Sequence, residues 1–236
     1  MEKIIEFHKN LNPNLWIDEE NLNNEVLQKL LEVSEEFYSF LKISAPIEDI
    51  ILVGSSVNYT YTKYSDIDLH LVINFSRVDD DIKFSKEYFD AKKYVWNNEH
   101  DIKMFGMEIE FYVQDTKEKN FSNSIYSIMN GQWIKKPEKE NLKIDLKKVK
   151  NKVENIKTNI EMSKTDLDSL NKIKEKIRNM RKCGLEKYGE YSVENLTFKY
   201  LRNKKIIEKL LFYIRDIFDK KFSIQEINEW NELLIK

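Results

Sequence analysis

Five glycines and three prolines in 236 residues are too few for an all-β or repeat architecture, whose turns consume both. The single cysteine, Cys183, excludes an internal disulfide. No apolar run approaches the roughly 18 residues of a membrane span. The opening MEKIIEFHKN lacks the basic start and apolar core of a secretory signal, so a cytoplasmic protein with no membrane partner is expected. Zinc-ligand spacing is missing as well. His8 and His100 read as surface residues. Cys183 reads as a helix-end residue, with no paired base to make it a nucleophile.

What the chain does have is charge, and it is unevenly spread. Hydrophobic residues make up 41%, enough for a sizeable core, and charged residues 34%, most of which must be solvated. Residues 1–135 carry 14 Lys and Arg against 24 Asp and Glu; residues 136–236 carry 25 against 17. An acidic front and a basic back fit two jobs, metal binding and polyanion binding. Lys-rich helices that are merely well solvated give the same count.

The periodicity changes at the same place. Val26, Leu27, Leu30, Leu31, Val33, Phe37, Phe40 and Leu41 recur at helical spacing and predict a helix over 19–42, stopped by Pro46. DIILV (49–53) is a short buried strand, and DIDLHLVINF (66–75) alternates as a second. A helix over 80–98 has Phe84, Tyr88, Phe89, Ala91, Tyr94 and Val95 as its candidate buried side. Residues 101–115 read as two strands joined near Gly106. Beyond Pro137 only helical periods remain, over roughly 144–163, 166–183 with Gly184 as an αL cap, and 193–220. A last helix is predicted from the capping-box pattern Ser223-Ile-Gln-Glu226. The expected division is 1–137 for a mixed α+β domain and 138–236 for a helical one.

Folding alone does not explain ILVGSSVNYTYTKYSDIDLHLVINF (51–75). Asp66 and Asp68 leave one face of a strand about 7 Å apart. Like charges that close resist burial, and a divalent cation removes the conflict. Carboxylates, waters and phosphate oxygens are what Mg²⁺ prefers. A third carboxylate on a neighbouring strand would complete a two-metal site, and both Glu108 and Glu110 in MEIEFYV offer one. Gly54 lets backbone approach a ligand, and Ser55 and Ser56 supply hydroxyls and N–H groups. A helix starting just after them would turn its amides to an anion. The stretch therefore reads as a triphosphate cradle beside a metal site. His70 shares the aspartates' face and reads as a polar residue beyond the metals.

Gly54-Ser55, ten intervening residues and then Asp66-Ile67-Asp68-Leu69 resembles the signature of the polymerase-β-like nucleotidyltransferases. EIEFYV (108–113) resembles the family's later acidic strand. The likeness covers about residues 45–115, and the chain is similar to compact members found in bacteria and large bacteriophages. It implies an α+β fold, a mixed β-sheet with flanking helices followed by a C-terminal helical bundle. It also implies transfer of a nucleoside monophosphate from an NTP, such as ATP, to an acceptor hydroxyl, with release of pyrophosphate. Two Mg²⁺ ions, replaceable by Mn²⁺, would be held by Asp66, Asp68 and Glu110, with Gly54, Ser55 and Ser56 on the triphosphate. Glu110 is preferred to Glu108 because apolar residues follow it directly. The basic half suggests an RNA 3′ end, such as a tRNA, as acceptor. Nucleotidylation of a protein or small molecule is a second reading, and a non-catalytic nucleotide- or RNA-binding module a third.

Overall fold

The structure, a computed structural model, describes residues 8–139 and 144–224. It divides into two compact units, Met1–Leu142 and Lys143–Lys236.

The first unit is built on a six-stranded mixed sheet. Helix α1 (Asn24–Leu41) begins where Asn23 accepts the Glu25 N–H and ends at Lys42 in the left-handed region. Strand β1 (Ile47–Val53) runs into a tight 3₁₀ turn, Gly54–Val57. Strand β2 (Ile67–Ile73) follows, then helix α2 (Ile82–Glu99), capped by Asp81, which accepts the Lys83 and Phe84 N–H groups. Strands β3 (Lys103–Met104) and β4 (Met107–Asp115) form a hairpin through Gly106, and β5 (Ile125–Ser127) and β6 (Gln132–Lys135) form another. The strand order is β3-β4-β2-β1-β5-β6. Among the described residues only β2 and β4 pair in parallel, and α2 supplies the crossover such a pair needs.

Alternation gives the sheet its two faces. Ile67, Leu69, Leu71 and Ile73 are buried, while Asp68, His70 and Val72 between them are half-buried. The apolar face joins Leu30, Phe37 and Leu41 of α1, Phe89 and Trp96 of α2, and Phe111 and Val113 of β4 in one core. Phe37 stacks on Phe111 at 4.3 Å and meets Trp96 edge-on at 5.3 Å. Each such side chain removed from water contributes about 1.5–3 kcal/mol. Helix packing on this face leaves the opposite, polar face for other work.

The second unit is helical: α3 (Leu146–Met162), α4 (Leu167–Tyr188), α5 (Val193–Asn203) and α6 (Ile206–Phe222). Among the described residues no helix is long and apolar enough to cross a membrane.

Several details differ from the sequence reading. Phe84 and Tyr94 of α2 are 56% and 70% exposed, and Trp96 takes the buried place; the helix keeps a narrow apolar stripe rather than a wide one. Gly184 does not cap α4. It lies inside the helix, where a Cβ would stand 2.5 Å from Glu194 Cβ and 2.8 Å from Ser192 Oγ, so its lack of a side chain admits the start of α5. The cap is Gly189, at φ 72°. The long helix over 193–220 is two helices, broken at Lys204–Lys205, where Lys205 adopts φ 57°. Ser223 closes α6 in an extended conformation, and the helix predicted beyond it falls on residues 225–236, outside the described residues. His8 is half-buried rather than superficial, stacked on Tyr61 at 3.8 Å.

Candidate functional site

Strand register brings the sequence's singled-out residues into one neighbourhood. Asp68 of β2 stands opposite Val53, the last residue of β1, on one side and opposite Glu110 of β4 on the other. Paired residues on neighbouring strands share a face. Asp68 and Glu110 therefore form a carboxylate pair beside the turn that begins at Gly54. Asp66 immediately precedes β2 and is half-buried.

Gly54 is where turn and strand meet. Its φ is +76°, in the region glycine favours, and a Cβ there would sit 2.1 Å from Asp68 Oδ2. The Asp68 carboxylate thus lies against the turn's backbone in space that any other residue would fill. The turn itself is a single 3₁₀ turn rather than the start of a longer helix, with the Asn58 N–H donating to Ser55 O at 3.2 Å.

The two serines part company. Ser55 is half-buried, and its Oγ donates to Ser65 Oγ at 2.8 Å, which also accepts the Thr62 N–H at 2.9 Å. That contact closes the ten-residue gap between the turn and Asp66. Ser56 differs from the sequence expectation that it offers its hydroxyl outward. It is 0% exposed and donates from Oγ to Val53 O at 3.2 Å, bracing the turn from inside.

The two glutamates also separate. Both are exposed on β4, but Glu108 pairs with Lys103 across the β3–β4 hairpin at 3.5 Å. The Glu110 side chain makes no hydrogen bond or ion pair among the described residues, which leaves its oxygens available for other ligands.

Further along the same face, His70 lies opposite Tyr112. His70 Nδ1 is 2.9 Å from Gln114 Oε1, which also accepts from Asn120 Nδ2 at 3.1 Å. With that oxygen as acceptor, Nδ1 carries the proton and Nε2 is left as an acceptor. Burial holds the imidazole's pKa below its ordinary value. The Tyr112 hydroxyl meets Glu118 at 2.8 Å and accepts from Lys86 Nζ at 2.9 Å, and burial pushes its pKa up. Sequence reading missed Ser65, Tyr112 and Gln114. Ser65 adjoins Asp66 and Tyr112 lies two residues beyond Glu110, but nothing in their spacing announces the contacts.

The donor set suits a hard divalent cation: carboxylate oxygens, no thiolate, and a glycine that keeps the backbone clear of Asp68. Among the described residues no three acidic, His or Cys side chains are drawn together into a ready ligand cluster. The carboxylates are instead arrayed along the ends of adjacent strands.

No curated protein and no solved structure matches the chain. A family model described as the nucleotidyltransferase domain matches residues 28–217, a span that contains the Gly54 turn, both aspartates and both glutamates. The chain therefore belongs to the nucleotidyltransferase domain family, within the polymerase-β-like superfamily, and is a transferase.

Proposed function

We propose that the protein moves a nucleoside monophosphate from an NTP to an acceptor hydroxyl at the Gly54–Asp68–Glu110 site. In this reading the hydroxyl oxygen attacks the α-phosphorus, the bond from that phosphorus to the α,β-bridging oxygen breaks, and pyrophosphate leaves. The support that carries it is the position of Asp68, between the turn at Gly54 and the free carboxylate of Glu110.

Asp66, Asp68 and Glu110 are the residues to hold divalent cations, two Mg²⁺ ions in the full reading. Bound there, such ions would supply Lewis-acid stabilisation of the charge on the triphosphate and the acceptor oxygen. The chain's own work is positioning. Gly54 leaves room for the Asp68 carboxylate against the turn, and Ser55 would offer Oγ and N–H to the β- and γ-phosphates. Ser56 contributes to the turn's shape from inside. Glu110 would hold the metal that activates the acceptor hydroxyl. Fixed charges and dipoles of this kind, aimed at charge that develops during the reaction, carry much of phosphoryl-transfer catalysis.

RNA is the acceptor class this reading favours, a 3′ end such as that of a tRNA. The observation behind it is the excess of Lys and Arg in residues 136–236, 25 against 17 acids. Incubation with each α-labelled NTP, Mg²⁺ or Mn²⁺, and total cellular RNA or protein tests both levels. Label in RNA supports the full reading. Label in protein or in a small molecule keeps the transferase chemistry and replaces the acceptor. No label in any pool contradicts the proposal.

A further inference from the structure

Residues 8–23 precede the matched span 28–217, yet they hold the Gly54 turn and the loop that follows it. Trp16 is 3% exposed and donates its indole Nε1–H to Ser56 O at 3.0 Å. Its ring lies parallel to Trp133, with centroids 4.9 Å apart and planes 10° from each other. A bridge between Trp16 and Leu22 closes a small hairpin, whose bend is fixed by Asp18 accepting the Glu20 and Asn21 N–H groups at 2.8 Å. From that hairpin the Glu19 carboxylate accepts the Tyr59 hydroxyl, and the Glu19 carbonyl accepts Trp133 Nε1–H at 2.9 Å.

A four-residue 3₁₀ turn has few hydrogen bonds of its own and poor geometry in those it has. Its peptide planes must be fixed from outside if its amides are to meet phosphate oxygens in one arrangement. The Ser56 side chain is turned inward and its carbonyl needs a partner where it is buried. Trp16 supplies that partner. Glu19 fixes the loop three residues further on through Tyr59.

We propose that the hairpin over residues 16–22 is a clasp for the phosphate turn, and that Trp16 is a positioning residue for the NTP's triphosphate. The inference rests on the turn being the triphosphate site. A clasp of this kind sets affinity for the β- and γ-phosphates and leaves the monophosphate part of the nucleotide untouched. A residue needed only for folding would weaken both alike.

The test uses the full chain and its Trp16→Phe variant, which keeps a ring in the core and removes the N–H. ATP, GTP, CTP and UTP with Mg²⁺ are titrated, and the monophosphate matching the tightest of them is titrated beside it. Trp16→Phe should lower the ratio of NTP to NMP affinity by about tenfold. Tyr59→Phe, which removes the bond to Glu19, should lower it by roughly threefold and decides the matter if Trp16→Phe does not fold. The inference stands if either variant lowers the ratio. It is overturned if neither moves it by more than about twofold while Gly54→Ala does. If Gly54→Ala leaves the ratio unchanged as well, the turn is not the triphosphate site, and the clasp falls with it.

Discussion

Gly54 and Asp68 compete for one volume. A Cβ on Gly54 would stand 2.1 Å from Asp68 Oδ2, closer than real Cβ atoms approach other atoms, and a tight 3.1 Å from its Cγ. Gly54→Ala therefore either pushes the carboxylate aside or shifts the turn, and it places a side chain at φ +76°. The strain costs about 1–3 kcal/mol. A melt should show that loss, and transfer activity should fall on the order of a hundredfold, more than instability alone accounts for. An Ala variant with wild-type turnover would mean that the carboxylate's contact with the turn is irrelevant to catalysis.

Glu110 and Glu108 project from the same face of β4, and their surroundings divide the roles. Glu108 is engaged by Lys103 at 3.5 Å, while Glu110 lies directly beside Asp68. Glu110→Gln should lower kcat by roughly a thousandfold, a barrier increase of about 4 kcal/mol. Glu108→Gln should cost far less, since its ion pair is exposed and worth little. The opposite ranking would move the role to Glu108.

His70 makes stability depend on pH. Burial lowers its folded pKa below the ordinary 6.5, so the folded imidazole stays neutral while the unfolded chain takes up a proton. Stability is then full above about 6.5 and is lost as pH falls from there towards the folded pKa, about 1.4 kcal/mol for each unit between the two values. In buffer with a chelator, melting temperature should fall between pH 7.5 and pH 5.5, and His70→Gln should flatten that slope. Other titrating groups are common to both proteins. Identical slopes would mean that the imidazole is no harder to protonate in the fold than outside it.

The basic residues of α4, α5 and the break after α5 bear on the acceptor. Arg181 lies over the Phe198 ring at 4.2 Å and Lys205 pairs with Glu208 at 3.8 Å, and Arg202 and Lys204 have partners of their own. Replacing Arg178, Lys182, Arg202 and Lys204 together by Ala should weaken RNA binding. The slope of log affinity against log salt should shrink by roughly 0.7 for each lost contact to a single strand. NTP affinity should hold. RNA binding that is absent in the native protein, or unchanged in the variant, leaves these helices as solvated surface and moves a protein or small-molecule acceptor to first place.

Much of this was legible because the alternation in 66–75 is strict. Once Ile67, Leu69 and Leu71 are assigned to the core, Asp68 and His70 have only one face left, and the Gly-Ser turn before them limits what that face can meet. Strands β5 and β6 were not legible. They are three and four residues long, and their pattern is too short to show a period. Ser56's inward hydroxyl depends on a contact with Val53 that no spacing encodes, and Trp16 reaches Ser56 from 40 residues away. Gly184 shows the same limit: near a helix end it looks like a cap, and only the approach of Ser192 and Glu194 reveals it as a packing site.

Replacing Asp66 or Asp68 by Ala asks whether these carboxylates serve chemistry rather than folding. Each variant should be incubated with α-labelled NTP, Mg²⁺ and the acceptor pool that the native protein labels, while a melt is recorded with and without Mg²⁺. Asp68→Ala and Asp66→Ala should abolish transfer and lose any stabilisation by Mg²⁺. In the absence of metal both should still fold and melt cooperatively, since neither side chain belongs to the apolar core. Near-native transfer by either variant would mean that its carboxylate holds no metal needed for the reaction.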